Sequence, residues 1–162
     1  MTSEPHRRLS HLDDDGAARM VDVSLKPAGA RMATARAAVH TTGEVIDMIT
    51  AGGLPKGDAL ATARIAGIQA AKRTSELVPL CHQLSLTGVD VDFVVGTGVI
   101  EVAATARTTD RTGVEMEALT AVSVAALTIY DMIKAVDPAA RIDGIRVVRK
   151  EGGKTGVWTA PQ

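Results

Sequence analysis

One run constrains the fold of this chain more than any other. VEMEALTAVSVAALTIYDMIKAV, about residues 114–136, reads as a single long helix built from small and apolar residues. Glu115 and Glu117 stand in its first turn, where carboxylates suit the positive end of a helix, and Pro138 lies just past its end. Much of such a helix is alanine and other small residues, so whatever packs on it can come close. The rest of the chain has the same character: 46% of residues are hydrophobic but only 2% aromatic. A core of Ala, Val, Leu, Ile and Met buries little apolar area per residue, and association with further copies is a reasonable way to bury more.

The remaining segments supply partners for that helix. Residues 18–26 (ARMVDVSLK) read as a short extended piece, and TARAAVHTT, about 34–42, as a first sheet strand. EVIDMIT has helical spacing and is closed by Gly52 and Gly53. A second helix is expected over about 57–76, with Pro55 near its start, Lys72 and Arg73 late, and Pro79 stopping it. SLTGVDVDFVVGTGVIEVAATART alternates on both sides of Gly-Thr-Gly, which is a hairpin signature. IDGIRVVRK alternates again as a last strand, and the glycine-rich EGGKTGVWTAPQ follows as a tail. Strand, helix, helix, hairpin, helix, strand is an α+β order: an antiparallel sheet with long helices on one face. A chain of 162 residues without an internal repeat or linker reads as one domain. Its expected divisions are a flexible arm over 1–17, a domain over 18–156 and a tail over 157–162.

Several function classes are disfavoured. A formal net charge of −1 lacks the basic excess of a nucleic-acid binder, and Phe93, Tyr130 and Trp158 are too far apart to form a base-stacking platform. Cys81 is the one cysteine, so no internal disulfide forms. No apolar run of membrane-spanning length and no signal-peptide region is read, so the expected setting is cytoplasmic, without membrane or nucleic acid. His6, His11, His40 and His82 show no metal-ligand spacing, and neither metal nor cofactor is expected.

Candidate chemistry lies in a few short constellations. LVPLCHQL sets Cys81 and His82 between a helix end and a strand start, where histidine can hold a phosphate or move a proton. The commoner reading of that spacing is a packed histidine beside a small buried thiol. Glu115 and Glu117, with Met116 between them, are ordinarily dipole partners, yet residues two apart on a helix diverge. At least one of the two carboxylates therefore turns towards packed structure. Asp131 and Lys134 are spaced i, i+3 on one helix face: a weak pair on a surface, an acid–base pair in a cleft. Lys56, Lys72, Arg73, Lys150 and Lys154 are scattered cations suited to phosphates. EGGKTG lacks the glycine spacing and the following helix of a P-loop.

Glu117 and Asp131 are 14 positions apart, about 21 Å along a straight helix. They cannot both touch one small ligand from one chain. If both are functional, two antiparallel copies must share a site.

MVDVSLK, GLPKGDALATARIAGIQAAKRTSELVPLCHQL, TGVEMEALTAVSVAALTIYDMIKAVD and EGGKTG together resemble the cyclic pyranopterin monophosphate synthases of molybdenum-cofactor biosynthesis. The matching stretches run in order from about Leu9 to Gly156, with only the hairpin poorly matched. The resemblance implies a ferredoxin-like fold and a homohexamer, a trimer of dimers with sites at the dimer interface. It implies a pyrophosphate-releasing lyase that turns a cyclised dihydro-GTP into cyclic pyranopterin monophosphate. By motif it implies a catalytic Asp131, Lys134 and Lys56. Leu80, Cys81, His82, Glu115, Met116, Glu117, Lys150 and Lys154 are the implied substrate-binding residues. Gln83 stands where many members have proline, and Glu151 where serine is common. A non-catalytic subunit that binds a purine nucleotide or pterin is the alternative these two positions leave open. A metal-dependent phosphohydrolase is weaker still, for want of a ligand cluster.

Overall fold

The computed structural model describes residue 12, residues 15–154 and residues 156–161. His6, His11, Asp13, Asp14 and most of the expected arm lie outside them; within the arm, Leu12 bridges Ala18. The described elements are β1 (Gly29–His40), α1 (Gly43–Ala51), α2 (Ala59–Ala71), α3 (Thr74–Leu77), β2 (Leu86–Gly96), β3 (Val99–Asp110), α4 (Glu115–Ile133), β4 (Arg141–Glu151) and β5 (Trp158–Thr159). The strands form one sheet in the order β2-β3-β1-β4-β5, with every neighbouring pair antiparallel. This is the expected α+β, ferredoxin-like arrangement, with the helices packed on one face of the sheet.

Alternation decides which face is covered. Ala33, Ala35, Ala37 and Val39 of β1 are buried, as are Ile100, Val102, Ala104 and Ala106 of β3. All point towards α4, whose Ala118, Ala121, Val122, Ala125, Ala126 and Ile129 are buried against them. Burying one such isoleucine contributes about 1.5–3 kcal/mol. Contrary to the sequence reading, α4 is long and apolar enough to span a membrane, a test that the core helix of a soluble protein also passes. Here its apolar side is the middle of the core.

Small residues let α2 sit directly on α4. Ala59, Ala63, Gly67, Ala70 and Ala71 make up the buried side of α2. A Cβ on Gly67 would stand 2.9 Å from the carbonyl oxygen of Ala121, inside ordinary contact distance. Aromatic scarcity is thus matched by close helix–helix approach.

Three boundaries differ from expectation for local reasons. Residues 18–26 contain no strand: the Asp22 side chain accepts from the Ser24 amide at 2.8 Å, and Lys26 N–H donates to Val23 O. That side-chain turn ends any extension. The helix expected over 57–76 starts at Ala59 because Asp58 caps it, accepting from the Ala61 amide at 2.9 Å. It then breaks at Lys72 and Arg73 before resuming as α3. The buried Thr74 hydroxyl bonds Ala71 O at the break, competing with the helical ladder. The tail, finally, turns through Gly152 and Gly153 at positive φ and returns to pair Trp158 and Thr159 with Lys150 and Arg149.

Candidate active site

Both chemistry-bearing clusters are built on the ends of α4. At its N-terminal end, Leu80, Cys81 and His82 in the connection after α3 face Glu115, Met116 and Glu117 in the first helical turn. All six line one cavity of about 500 Å³. Two motifs 35 positions apart in sequence (80 to 115) therefore meet across a single pocket.

Glu117 is the unusual member. It is only 4% exposed, and burial pushes its carboxyl above the ordinary range; its own backbone amide opposes this, and the neighbouring Glu115 charge adds to it. The Cys81 thiol is raised as well, first by burial and then by Glu117. Cys81 therefore stays a thiol rather than a ready nucleophile. His82 Nε2 lies 2.7 Å from Val21 O. A carbonyl only accepts, so Nε2 carries the proton, and the Val21 carbonyl holds the imidazole.

Glu115 joins this cavity to a second, of about 110 Å³, lined by Arg31, Lys150 and Lys154 with Gly152 and Gly153. Lys150 Nζ donates to Glu115 Oε1 at 3.1 Å and lies 6.0 Å from the centre of the Trp158 ring. Arg31 was absent from the residues read from sequence. In β1 it looks like one more polar residue of an alternating strand. Its guanidinium lies so close to Gly153 that a Cβ there would collide with it, a Cβ on Gly152 would meet the Ala30 carbonyl oxygen, and the Arg31 Nε is buried without a hydrogen-bond partner. The only sequence signal was the glycine pair itself, whose bare backbone leaves room for such a side chain. Glu151 places no free negative charge beside these cations, because its carboxylate is held by Arg149.

The other end of α4 is open. Lys56, in the turn before α2, donates to Asp131 Oδ2 at 2.8 Å and to the Asp131 carbonyl at 2.9 Å. Lys134 Nζ lies 2.7 Å from Asp131 Oδ1. Each carboxylate oxygen therefore has its own ammonium partner. The hydrogen bond from Lys134, followed by that from Lys56, holds the Asp131 carboxyl down at about 2. Lys134 is raised in return by its hydrogen bond to Asp131. The structure thus unites Lys56, Asp131 and Lys134, and separately unites the LCH, EME and tail residues. It leaves the two groups about 21 Å apart along α4. Lys72 and Arg73 sit exposed after α2 and line neither cavity. Among the described residues no three His, Cys, Asp or Glu side chains gather where a metal ion could be held.

The sequence profile described as the MoaC family matches residues 20–153. Cyclic pyranopterin monophosphate synthase 2 of Mycobacterium tuberculosis is 68% identical over 151 residues, covering 93% of this chain and 90% of that protein. The cyclic pyranopterin monophosphate synthase of Streptomyces coelicolor is 60% identical over 156 residues, covering 96% and 92%. That of a Nocardioides species is 57% identical over 162 residues, covering 98% and 99%. Matched over nearly its whole length to relatives this similar, the chain belongs to the MoaC family.

Proposed function

We propose that this chain is a cyclic pyranopterin monophosphate synthase. It converts a cyclised dihydro-GTP to cyclic pyranopterin monophosphate with release of pyrophosphate, working in the cytoplasm. One observation carries the reading: in a chain this close to named synthases, the LCH and EME motifs line the same cavity, with Lys150 and Lys154 beside it.

The residues divide the work by their surroundings. The apolar-walled cavity suits a purine-derived ring, with Leu80 and Met116 as walls and Glu117, whose carboxyl is raised by burial, as a proton donor. Arg31, Lys150 and Lys154 suit the triphosphate, whose departing pyrophosphate needs positive charge. Asp131, Lys134 and Lys56 form the acid–base group. In the free chain they are locked as ion pairs, so they exchange protons only once a bound substrate replaces one of those contacts.

That division needs two chains. A stripe along the outer side of α4 runs from Met116 through Leu127 to Asp131, with Met116 37% and Leu127 57% exposed. Ile65 on neighbouring α2 is 60% exposed. Antiparallel pairing of this stripe with a second copy covers those side chains. It also brings the Asp131 end of one chain to the Glu117 end of the other. The dimer is then the catalytic unit, and a homohexamer is three such dimers.

The direct test supplies purified protein with cyclised dihydro-GTP and measures pyrophosphate. Stoichiometric release with formation of the cyclic phosphate is expected. Tight binding without release would overturn the reading in favour of a non-catalytic purine or pterin binder.

A further inference from the structure

Strand β4 carries cations on both of its faces, and only one set belongs to the candidate active site. Neighbouring residues of a strand point to opposite sides of the sheet. Lys150 pairs with the buried Ala33 of β1 and turns to the helix side, where it lines the tail cavity with Arg31. Arg149 pairs with Thr34 and turns to the face that the helices leave open. There it joins Arg36 of β1 and Arg146 of β4 around a separate hollow of about 300 Å³. Thr34 adds to its wall, as do Thr159 of β5 and Pro161 just beyond it.

A β-bulge assembles the three guanidiniums. The β1–β4 register passes from Thr34 opposite Arg149 to Ala35 opposite Val147, which leaves Val148 as an extra residue. In a regular strand Arg146 and Arg149, three positions apart, would lie on opposite faces. The extra residue cancels that alternation, so both side chains open into one hollow with Arg36. Arg36 and Arg146 stand directly opposite one another across the ladder, where like charges destabilise a pair of strands.

The chain does little to neutralise that pair. Arg149 is held by Glu151, but among the described residues Arg36 and Arg146 make no ion pair and no side-chain hydrogen bond. Two carboxylates, Glu101 and Asp143, line a neighbouring hollow that the same two arginines border. Asp143 is engaged there by Arg141 at 3.5 Å and lies 3.9 Å from His40, and Glu101 reaches neither arginine within ion-pair distance. The Thr34 hydroxyl is bonded to that of Thr105 at 2.9 Å, whereas the Thr159 hydroxyl makes no hydrogen bond among the described residues. The hollow thus presents three guanidiniums against the one carboxylate of Glu151, with a hydroxyl beside them.

We propose that this hollow is a binding site for a phosphate group, separate from the candidate active site. A guanidinium offers paired N–H donors in a planar fork that matches phosphate oxygens. Two forks facing one another across a ladder can hold one doubly charged phosphate between them, which offsets the repulsion of the two arginines. The Thr159 hydroxyl can donate to a further oxygen. At about 300 Å³ the hollow is at the small end of ligand sites, and no aromatic side chain lines it for a base to stack on. The occupant is therefore inorganic phosphate or the phosphate of a small ester.

Calorimetric titration of the intact chain with inorganic phosphate tests the site, and it does not depend on turnover. Lys150→Ala disables the tail cavity, so phosphate binding that persists in this variant reports the hollow alone. Persistence is expected, and adding Arg36→Glu should weaken that binding by about 10–100-fold. Arg36→Glu sets an opposite charge across from Arg146, which favours the strand pair and keeps the fold. Phosphate should accordingly raise the thermal midpoint of Lys150→Ala but not that of the double variant. Glycerol phosphate titrated in parallel identifies the source: tighter binding than inorganic phosphate marks an ester, weaker binding the free ion. Phosphate binding lost in Lys150→Ala, or unchanged on adding Arg36→Glu, overturns the proposal. So does Arg36→Glu alone lowering pyrophosphate release as far as Lys150→Ala does, since Arg36 would then serve the active site.

Discussion

The two ends of α4 carry the same kinds of residue in opposite electrostatic states. At the N-terminal end Glu117 is buried, has no cation on it, and holds its proton above the usual carboxylate range. At the C-terminal end Asp131 is half exposed, gripped by two ammonium groups, and stays ionised down to about 2. Burial without a partner favours the protonated carboxyl. Exposure with two partners makes a fixed negative charge. Neither end alone looks like a complete acid–base site. One has a labile proton and a pocket but no free base, and the other has the base but no pocket wall. The deficiency of each matches the provision of the other, which supports the shared site.

The largest expected effect breaks this contrast at its charged end. Lys134→Ala leaves Asp131 with Lys56 alone and removes one member of the acid–base group. Turnover should fall by about 10²–10⁴ with the assembly unchanged in size. Undiminished pyrophosphate release would remove Lys134 from the mechanism. Lys56→Ala should cost less, because Asp131 keeps its nearer ammonium.

Mixing chains sharpens the comparison further. Lys56 and Asp131 belong to the same half-site, so variants at those two positions cannot complement one another. Lys134→Ala chains mixed with Glu117→Gln chains can. After subunit exchange one pocket in each mixed dimer is intact, and activity should return to about one quarter of the native value. Two inactive parents that stay inactive after proven exchange would mean that one chain supplies both ends, against the length of α4.

How much of this was legible beforehand depended on whether a feature is local. The β2–β3 hairpin and α4 were readable because alternation and helical period repeat over many residues, so a few exceptions do not hide them. The break at Lys72 and Arg73 was not, because it turns on one buried hydroxyl, that of Thr74, and burial is a tertiary fact. Arg31 and strand β5 were missed for the same reason: each depends on where the Gly152–Gly153 turn sends the chain. The bond from Lys56 to Asp131 spans 75 positions and could be suspected only by family resemblance. The separation of Glu117 from Asp131 needed nothing beyond the rise of a helix.

The smallest expected effect is on stability, and its sign follows from which state holds the proton. Glu117 binds its proton more tightly when folded than when unfolded, where its value is about 4.5. Between that value and the raised one, the native state carries more protons, so stability falls as pH rises through this window. Each unit by which the carboxyl is raised costs about 1.4 kcal/mol once pH exceeds it. Glu117→Gln removes the ionisation and should flatten that part of the curve, unfolding at neutral pH no more easily than the native chain. Asp131 acts in the opposite sense: its contribution is present above about 3.8 and is lost as pH falls towards 2. The two ends therefore load opposite limbs of one stability profile. Thermal unfolding of native chain and Glu117→Gln from pH 2 to 8 reads both limbs at once. A variant whose midpoint falls as steeply with rising pH as the native chain's would mean that Glu117 is already ionised, and the proton donor must be sought elsewhere in the pocket.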